Sequence, residues 1–131
     1  MAWQPEMVSY IRDVMGSTQW LKMRLEMIRS VDPSVQHKRR TQRAREHLRD
    51  IRRLLNAAVR SESKQDLLEA AAKGTALERI ANQLLNDEGV KQDDGTGVPA
   101  NFRSDTKNKV EELVMDLHGF SKWADKQGAD G

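Results

Sequence analysis

Residues 35–60 read VQHKRRTQRAREHLRDIRRLLNAAVR, and the spacing of their apolar positions decides the class of fold. Ala44, Leu48, Ile51, Leu55 and Ala58 recur at alternating steps of four and three. That rhythm puts them on one stripe of an α-helix, and the stripe needs another helix to bury it. Leu54 and Val59 widen the stripe toward its C-terminal end. Upstream the same register passes through Thr41 and His37, so the apolar character fades. The helix is expected to dock through its second half and to leave its first half less covered.

The remaining surface of this segment is cationic. Between positions 37 and 60 stand nine Lys and Arg, eight of them Arg, against Glu46 and Asp50 alone. A guanidinium is planar, permanently charged and able to form paired hydrogen bonds to phosphate. Such a face suits nucleic acid, with Lys38, Arg39, Arg40, Arg43, Arg45, Arg49, Arg52 and Arg53 as the candidate contacts. The bland alternative is a solvated face answered by carboxylates elsewhere in the fold or on a partner. No aromatic residue lies in the segment, which argues against stacking on bases. Contact with the backbone of duplex or structured nucleic acid, with little sequence readout, is the expected use.

Working outward toward the N-terminus, Met7, Ile11, Val14, Thr18, Leu21, Leu25 and Ile28 form an unbroken heptad seam. Pro5 suits a first helical turn, where its missing N–H is no loss. Trp20, Met23 and Met27 make a second row, read as ordinary core. Gly16-Ser17 offers a place for this helix to kink or split. Asp32-Pro33-Ser34 stops and restarts the chain, with Asp32 as N-cap and Pro33 in the first turn. So short a connection makes the helices near 5–30 and 33–60 an antiparallel hairpin.

Downstream, Ser63-x-x-Asp66 caps a third helix carrying Leu67, Leu68, Ala70 and Ala71, then Leu77, Ile80, Ala81 and Leu84. Two forms of this helix, residues 63–87, are open at Gly74. Thr75-x-x-Glu78 has the form of a capping box and favours a break there; a continuous helix would use Gly74 to admit a close neighbour. Residues 90–103 show no periodicity and contain Gly95, Gly97 and Pro99, so a long mobile loop is expected. The last helix, near 104–125, carries Val110, Leu113, Leu117, Phe120 and Ala124, with His118-Gly119 weakening it and a fraying tail from Lys126. Trp3 and Phe102 fall outside the seams and are either exposed anchors or caps on the bundle end. No stretch alternates with a period of two. The sum is an all-α single domain over residues 1–131, a four-helix, up-down, bundle-like fold with a long loop before the last helix.

Composition narrows the function. A chain of 131 residues is long enough to bury a real core. The absence of cysteine excludes disulfides, thiolate nucleophiles and zinc sites that need thiolates, and it fits a reducing cytosol. No apolar run approaches the ~18 residues of a membrane span, and MAWQPEMVSY has no signal-peptide pattern. A cytoplasmic protein without membrane contact is expected. Net charge is +2, but residues 1–60 hold thirteen Lys and Arg against six Asp and Glu (+7), and residues 61–131 hold nine against fourteen (−5). Either a basic face is left for an anionic partner, or the halves neutralise each other within one chain or between copies.

Specific chemistries fall away one by one. Gly95-Thr96-Gly97 lacks the following Lys of a phosphate-cradling loop, and Asp93-Asp94 lacks the rest of a calcium loop. No Glu-x-x-His occurs, and His37, His47 and His118 share no metal spacing, so no metal or cofactor is expected. No Gly-x-Ser-x-Gly elbow is present. Arg40 and His47, with polar Thr41 after the Arg, resemble the Arg-x(4–6)-His motif of the helical HEPN ribonucleases. Over these eight residues the resemblance implies an Arg that holds phosphate and a His that shuttles a proton, although the motif belongs late in that fold and falls early here. The leading expectation is a small non-enzymatic nucleic-acid-binding protein, alone or as a subunit of a larger nucleoprotein complex. The alternative is a protein–protein or homodimerising module using charge complementarity, and the third is the HEPN-like ribonuclease.

Overall fold

The computed structural model describes the backbone of residues 3–31, 35–85 and 102–130, and the side chains of 3–27, 38–85 and 102–126. These residues form α1 (Pro5–Val31), α2 (Val35–Ser61), α3 (Lys64–Leu85) and α4 (Phe102–Asp130). No strand occurs among the described residues. Each helix packs on the next in chain order, and α4 returns to α1 through a sparser seam. Along that seam Trp3 meets Trp123, Tyr10 meets Phe120 and Arg24 covers Phe102, so α1 and α4 run antiparallel. This is the up-down four-helix bundle that the periodicities predict.

The seams read from spacing are the core. Ile11, Leu21 and Leu25 of α1, Ala44, Ile51, Leu55 and Ala58 of α2, and Leu67, Leu77 and Leu84 of α3 are fully covered. Covering a Leu or Ile side chain stabilises the fold by about 1.5–3 kcal/mol, which is why narrow stripes can hold so charged a chain. Met23 departs from its expected place in the core and is 60% exposed, whereas Trp20 and Met27 pack against the core from its edge. Leu68, one residue off the α3 stripe, is also exposed. Three seams carry a buried threonine: Thr18, Thr41 and Thr106. The Thr18 hydroxyl donates to the Met15 carbonyl at 2.6 Å, while those of Thr41 and Thr106 have no partner among the described residues.

The turn from α2 to α3 is closed by local chemistry. Glu62 adopts φ of 52°, and the Ser63 N–H donates back to the Ala58 carbonyl at 3.2 Å, ending α2. The Ser63 hydroxyl then accepts from the Asp66 N–H at 3.2 Å, the N-cap that its spacing predicts. The Trp3 N–H donates to the Glu62 carboxylate at 2.7 Å, and the Trp3 ring stands edge-on to Trp123 with centroids 5.2 Å apart. Trp3 therefore caps this end of the bundle.

Several boundaries differ from expectation. Both α1 and α3 are continuous, α1 through Gly16-Ser17 and α3 through Gly74. The Thr75 hydroxyl donates back to the Ala71 carbonyl at 3.3 Å instead of capping a new helix. A Cβ on Gly74 would stand 2.7 Å from Cδ1 of Leu117, so the glycine is what lets α4 approach. Phe102 and Arg103 belong to α4 and not to the loop, the rest of which lies outside the described residues, as do Asp32 and Pro33. Phe102 and Thr106 extend the α4 seam upstream of Val110, and all three are buried. The Phe102 ring lies 5.4 Å below the Arg24 guanidinium, which also covers Trp20 at 4.6 Å. At the other end α4 runs past His118-Gly119 to Asp130.

Two glycine substitutions should move stability in opposite directions. Gly16 is exposed, with nothing within 4 Å of an added Cβ, so Gly16→Ala should stabilise by about 0.5–1 kcal/mol through helix propensity. Gly74→Val should destabilise by about 1–3 kcal/mol by overpacking against Leu117. Denaturant unfolding of the two variants checks both signs, and equal effects would remove the close-approach role of Gly74.

Candidate nucleic-acid interface

The narrow buried stripe of α2 leaves its cations on two flanks and a crest. Lys38, Arg45, Arg49 and Arg52 follow steps of seven, four and three, a second stripe parallel to the core. They line a groove of 450 Å³ against Thr18, Gln19 and Lys22 of α1. Thr41 and Leu48 form its buried floor, and Glu46 is the one carboxylate in its lining. On the other flank Arg43 and Lys73 of α3 bear on His47. Arg39 and Arg53 stand exposed on the crest between, and Arg40 is half-buried.

Two of the eight candidates reach a carboxylate. Arg45 Nε lies 3.2 Å from Glu26 Oε1 of α1, and Arg53 Nη2 lies 3.8 Å from Asp50 Oδ1 in its own helix. Asp50 is shared, because Lys73 Nζ stands 3.7 Å from its other oxygen. Lys38, Arg39, Arg40, Arg43, Arg49 and Arg52 make no ion pair among the described residues. Exposed pairs of this kind contribute only about 0–1 kcal/mol, so Arg45 and Arg53 are weakly held.

Three described carboxylates of the later, net-negative half are engaged away from α2. Asp116 accepts from the Tyr10 hydroxyl at 2.6 Å, a bond that raises the tyrosine's pKa above its usual value. Asp125 pairs with Lys64 at 3.0 Å, and Glu112 with Lys109 at 3.7 Å. A second groove, between α1 and α4, is lined by Asp13, Asp105 and Glu112 with Lys109, beside Trp20. Helix α1 thus has a basic groove on one side and an acidic one on the other.

His47 is held below its ordinary pKa, first by burial and then by Lys73 and Arg43, against the smaller opposing pull of Asp50 and Glu46. Its Nδ1 is buried without a hydrogen-bond partner among the described residues. The ring is therefore neutral near pH 7 and adds no charge to the basic face. Arg40 and His47 sit on one unbroken helix, seven residues or about 10.5 Å apart along its axis. No group of three or more His, Asp and Glu is placed to hold a metal among the described residues. The side chain of His37 and the residues 93–97 lie outside them. His118 instead meets the Thr75 hydroxyl at 3.3 Å across the α3–α4 contact.

No family model, curated protein or solved structure matches this chain. Its functional reading rests on its own residues. No helix among the described residues is long and apolar enough to cross a membrane. Lys22 is the one groove cation that attention to α2 alone misses. Its signal is modest: it follows the seam residue Leu21, on the flank that the antiparallel hairpin turns toward α2.

The depressed pKa of His47 gives a signed pH dependence. As pH falls below about 6.5, the unfolded chain takes up the proton before the folded one. The stabilisation from a neutral His47 is complete above that pH and is lost as pH falls toward the folded-state pKa. Thermal unfolding between about pH 8 and about pH 5 should show this decline, and His47→Gln should flatten part of it. An unchanged slope in the variant would show that other groups govern acid stability.

Proposed function

We propose that the protein is a non-enzymatic nucleic-acid-binding bundle that grips phosphates through α2, alone or within a larger nucleoprotein complex. The observation that carries this reading is the set of six cations, Lys38, Arg39, Arg40, Arg43, Arg49 and Arg52, without an ion pair among the described residues. They are strung along one helix over fifteen residues, a rise of about 21 Å. Duplex DNA carries a charge every ~1.7 Å of its axis, so a rod of this length meets several phosphates at once. Arginine's planar fork can pair bidentately with phosphate at each such contact. No aromatic ring stands among these residues, so the contact supplies affinity and little sequence preference.

A second reading is favoured by the acidic α1–α4 groove. The basic groove of one copy could meet the acidic groove of another, a head-to-tail contact of complementary charge. In that case the chain would associate with itself in a salt-sensitive way and show no affinity for DNA or RNA.

Binding to a generic duplex and to a single strand across a salt series separates the two. Affinity should fall steeply as salt rises, and Arg40, Arg43 and Arg49 changed together to Glu should lower it by at least about a hundredfold, with the helical content retained. Light scattering of the same samples should give a monomer. A salt-sensitive oligomer without nucleic-acid affinity would replace the proposal with the self-association reading.

A further inference from the structure

Resting on that reading, we infer that one phosphate backbone lies in the α1–α2 groove, with Lys22 of α1 as a direct contact and Glu26 as a built-in competitor. The groove has a cation on its α1 wall, Lys22, facing the stripe of Lys38, Arg45, Arg49 and Arg52 on α2. A crest of exposed arginines touches an anion from one side only. A groove surrounds it, removes more of its water and strengthens each contact. Its 450 Å³ matches a cleft that holds one drug-sized molecule. A single sugar–phosphate chain enters such a space, and a duplex does so by presenting the ridge of one strand.

The floor adds an independent sign. Thr41 is 1% exposed, and its hydroxyl has no hydrogen-bond partner among the described residues. Native folds rarely leave a covered donor unused. A phosphate oxygen seated above this residue is an acceptor that the hydroxyl reaches on a change of its χ1 rotamer. No aromatic residue lines the groove among the described residues, so the bases face outward and sequence is not read. Glu26 holds Arg45 at 3.2 Å, and a strand must displace that carboxylate to use the arginine. Glu46 in the lining repels the same strand. The groove is thus built for moderate affinity that salt can release.

The test measures fluorescence anisotropy of a labelled homopolymer single strand and of a duplex of equal length, over a salt series. Lys22→Gln should weaken binding several-fold and reduce the salt slope by the equivalent of one contact, about 0.7 for a single strand or 0.9 for a duplex. Lys22→Arg should restore both. Glu26→Gln should release Arg45, tightening binding and steepening the slope by a similar amount. Arg79→Gln, on the exposed face of α3, serves as the charge-matched control. Tighter binding of the single strand would assign the groove to a free strand, and equal binding to the ridge of a duplex. If Lys22→Gln and Glu26→Gln behave like Arg79→Gln while the wild type still binds, the groove is overturned and the nucleic-acid reading stands. If the wild type binds neither polymer, both fall. Equal displacement by polyglutamate of matched charge would also overturn the inference, because it would assign the groove to acidic protein segments.

Discussion

A stripe about one residue wide per turn is all that α2 buries, and the rest of the molecule follows from how that stripe is held. Ala44, Leu48, Ile51, Leu55 and Ala58 lock it between α1 and α3, and Thr41 ends the buried register toward the N-terminus. Everything off the stripe must stay wet. A chain with nine Lys and Arg in this helix can satisfy that condition only if its two neighbours cover the stripe and no more. The neighbours do so with small and branched aliphatic residues, and the long basic side chains fan out over both flanks.

Most of the fold is legible from spacing because each helix has one apolar rhythm and the core simply joins the four. The failures share a cause. Thr75-x-x-Glu78 is a local signal for a new helix, yet the tertiary contact of Gly74 with Leu117 keeps α3 whole and turns the threonine back on its own helix. Phe102 stands next to a stretch without periodicity, so its membership of the α4 seam shows only once Thr106 is counted as a seam position. Buried threonine reads as polar in a pattern and behaves as a small β-branched core residue in the bundle. Local propensity is a weak prior wherever a neighbouring helix can override it.

The residues of the candidate interface are legible in a different way. Their types and density are visible in α2 itself, and all eight candidates remain at the surface or half-covered. Which flank each one joins is not visible, because that depends on whether α1 or α3 lies beside it. Lys73 of α3 could as easily have been a glutamate that neutralised the flank; the distribution of charge between chain halves does not say. Counting by halves predicts attraction between a +7 segment and a −5 one, whereas packing sets Asp105 and Glu112 of the acidic half beside Asp13 at the α1–α4 seam, away from α2. Charge totals describe composition, and neutralisation is decided by contact.

Leaving arginines uncompensated along one helix has a thermodynamic consequence. Like charges a turn apart repel and lower the stability of the compact state, by a few tenths of a kcal/mol per pair on a helix surface. Dispersing acidic residues among them would relieve that repulsion, and α2 has two such residues, Glu46 and Asp50, the latter already shared by Arg53 and Lys73. A polyanion that binds the folded chain removes the repulsion and adds its own contacts, so its binding free energy also stabilises the fold. The Thr41 hydroxyl, without a partner among the described residues, works in the same direction, since a buried donor lacking an acceptor costs about 1–3 kcal/mol. Around the α1–α2 groove the free bundle therefore tolerates both the crowding of Lys38, Arg49 and Arg52 and, at Thr41, a buried hydroxyl without a partner among the described residues. An extended anion bound there would relieve the crowding of several cations together, whereas Glu26, fixed on α1, does so for Arg45 alone.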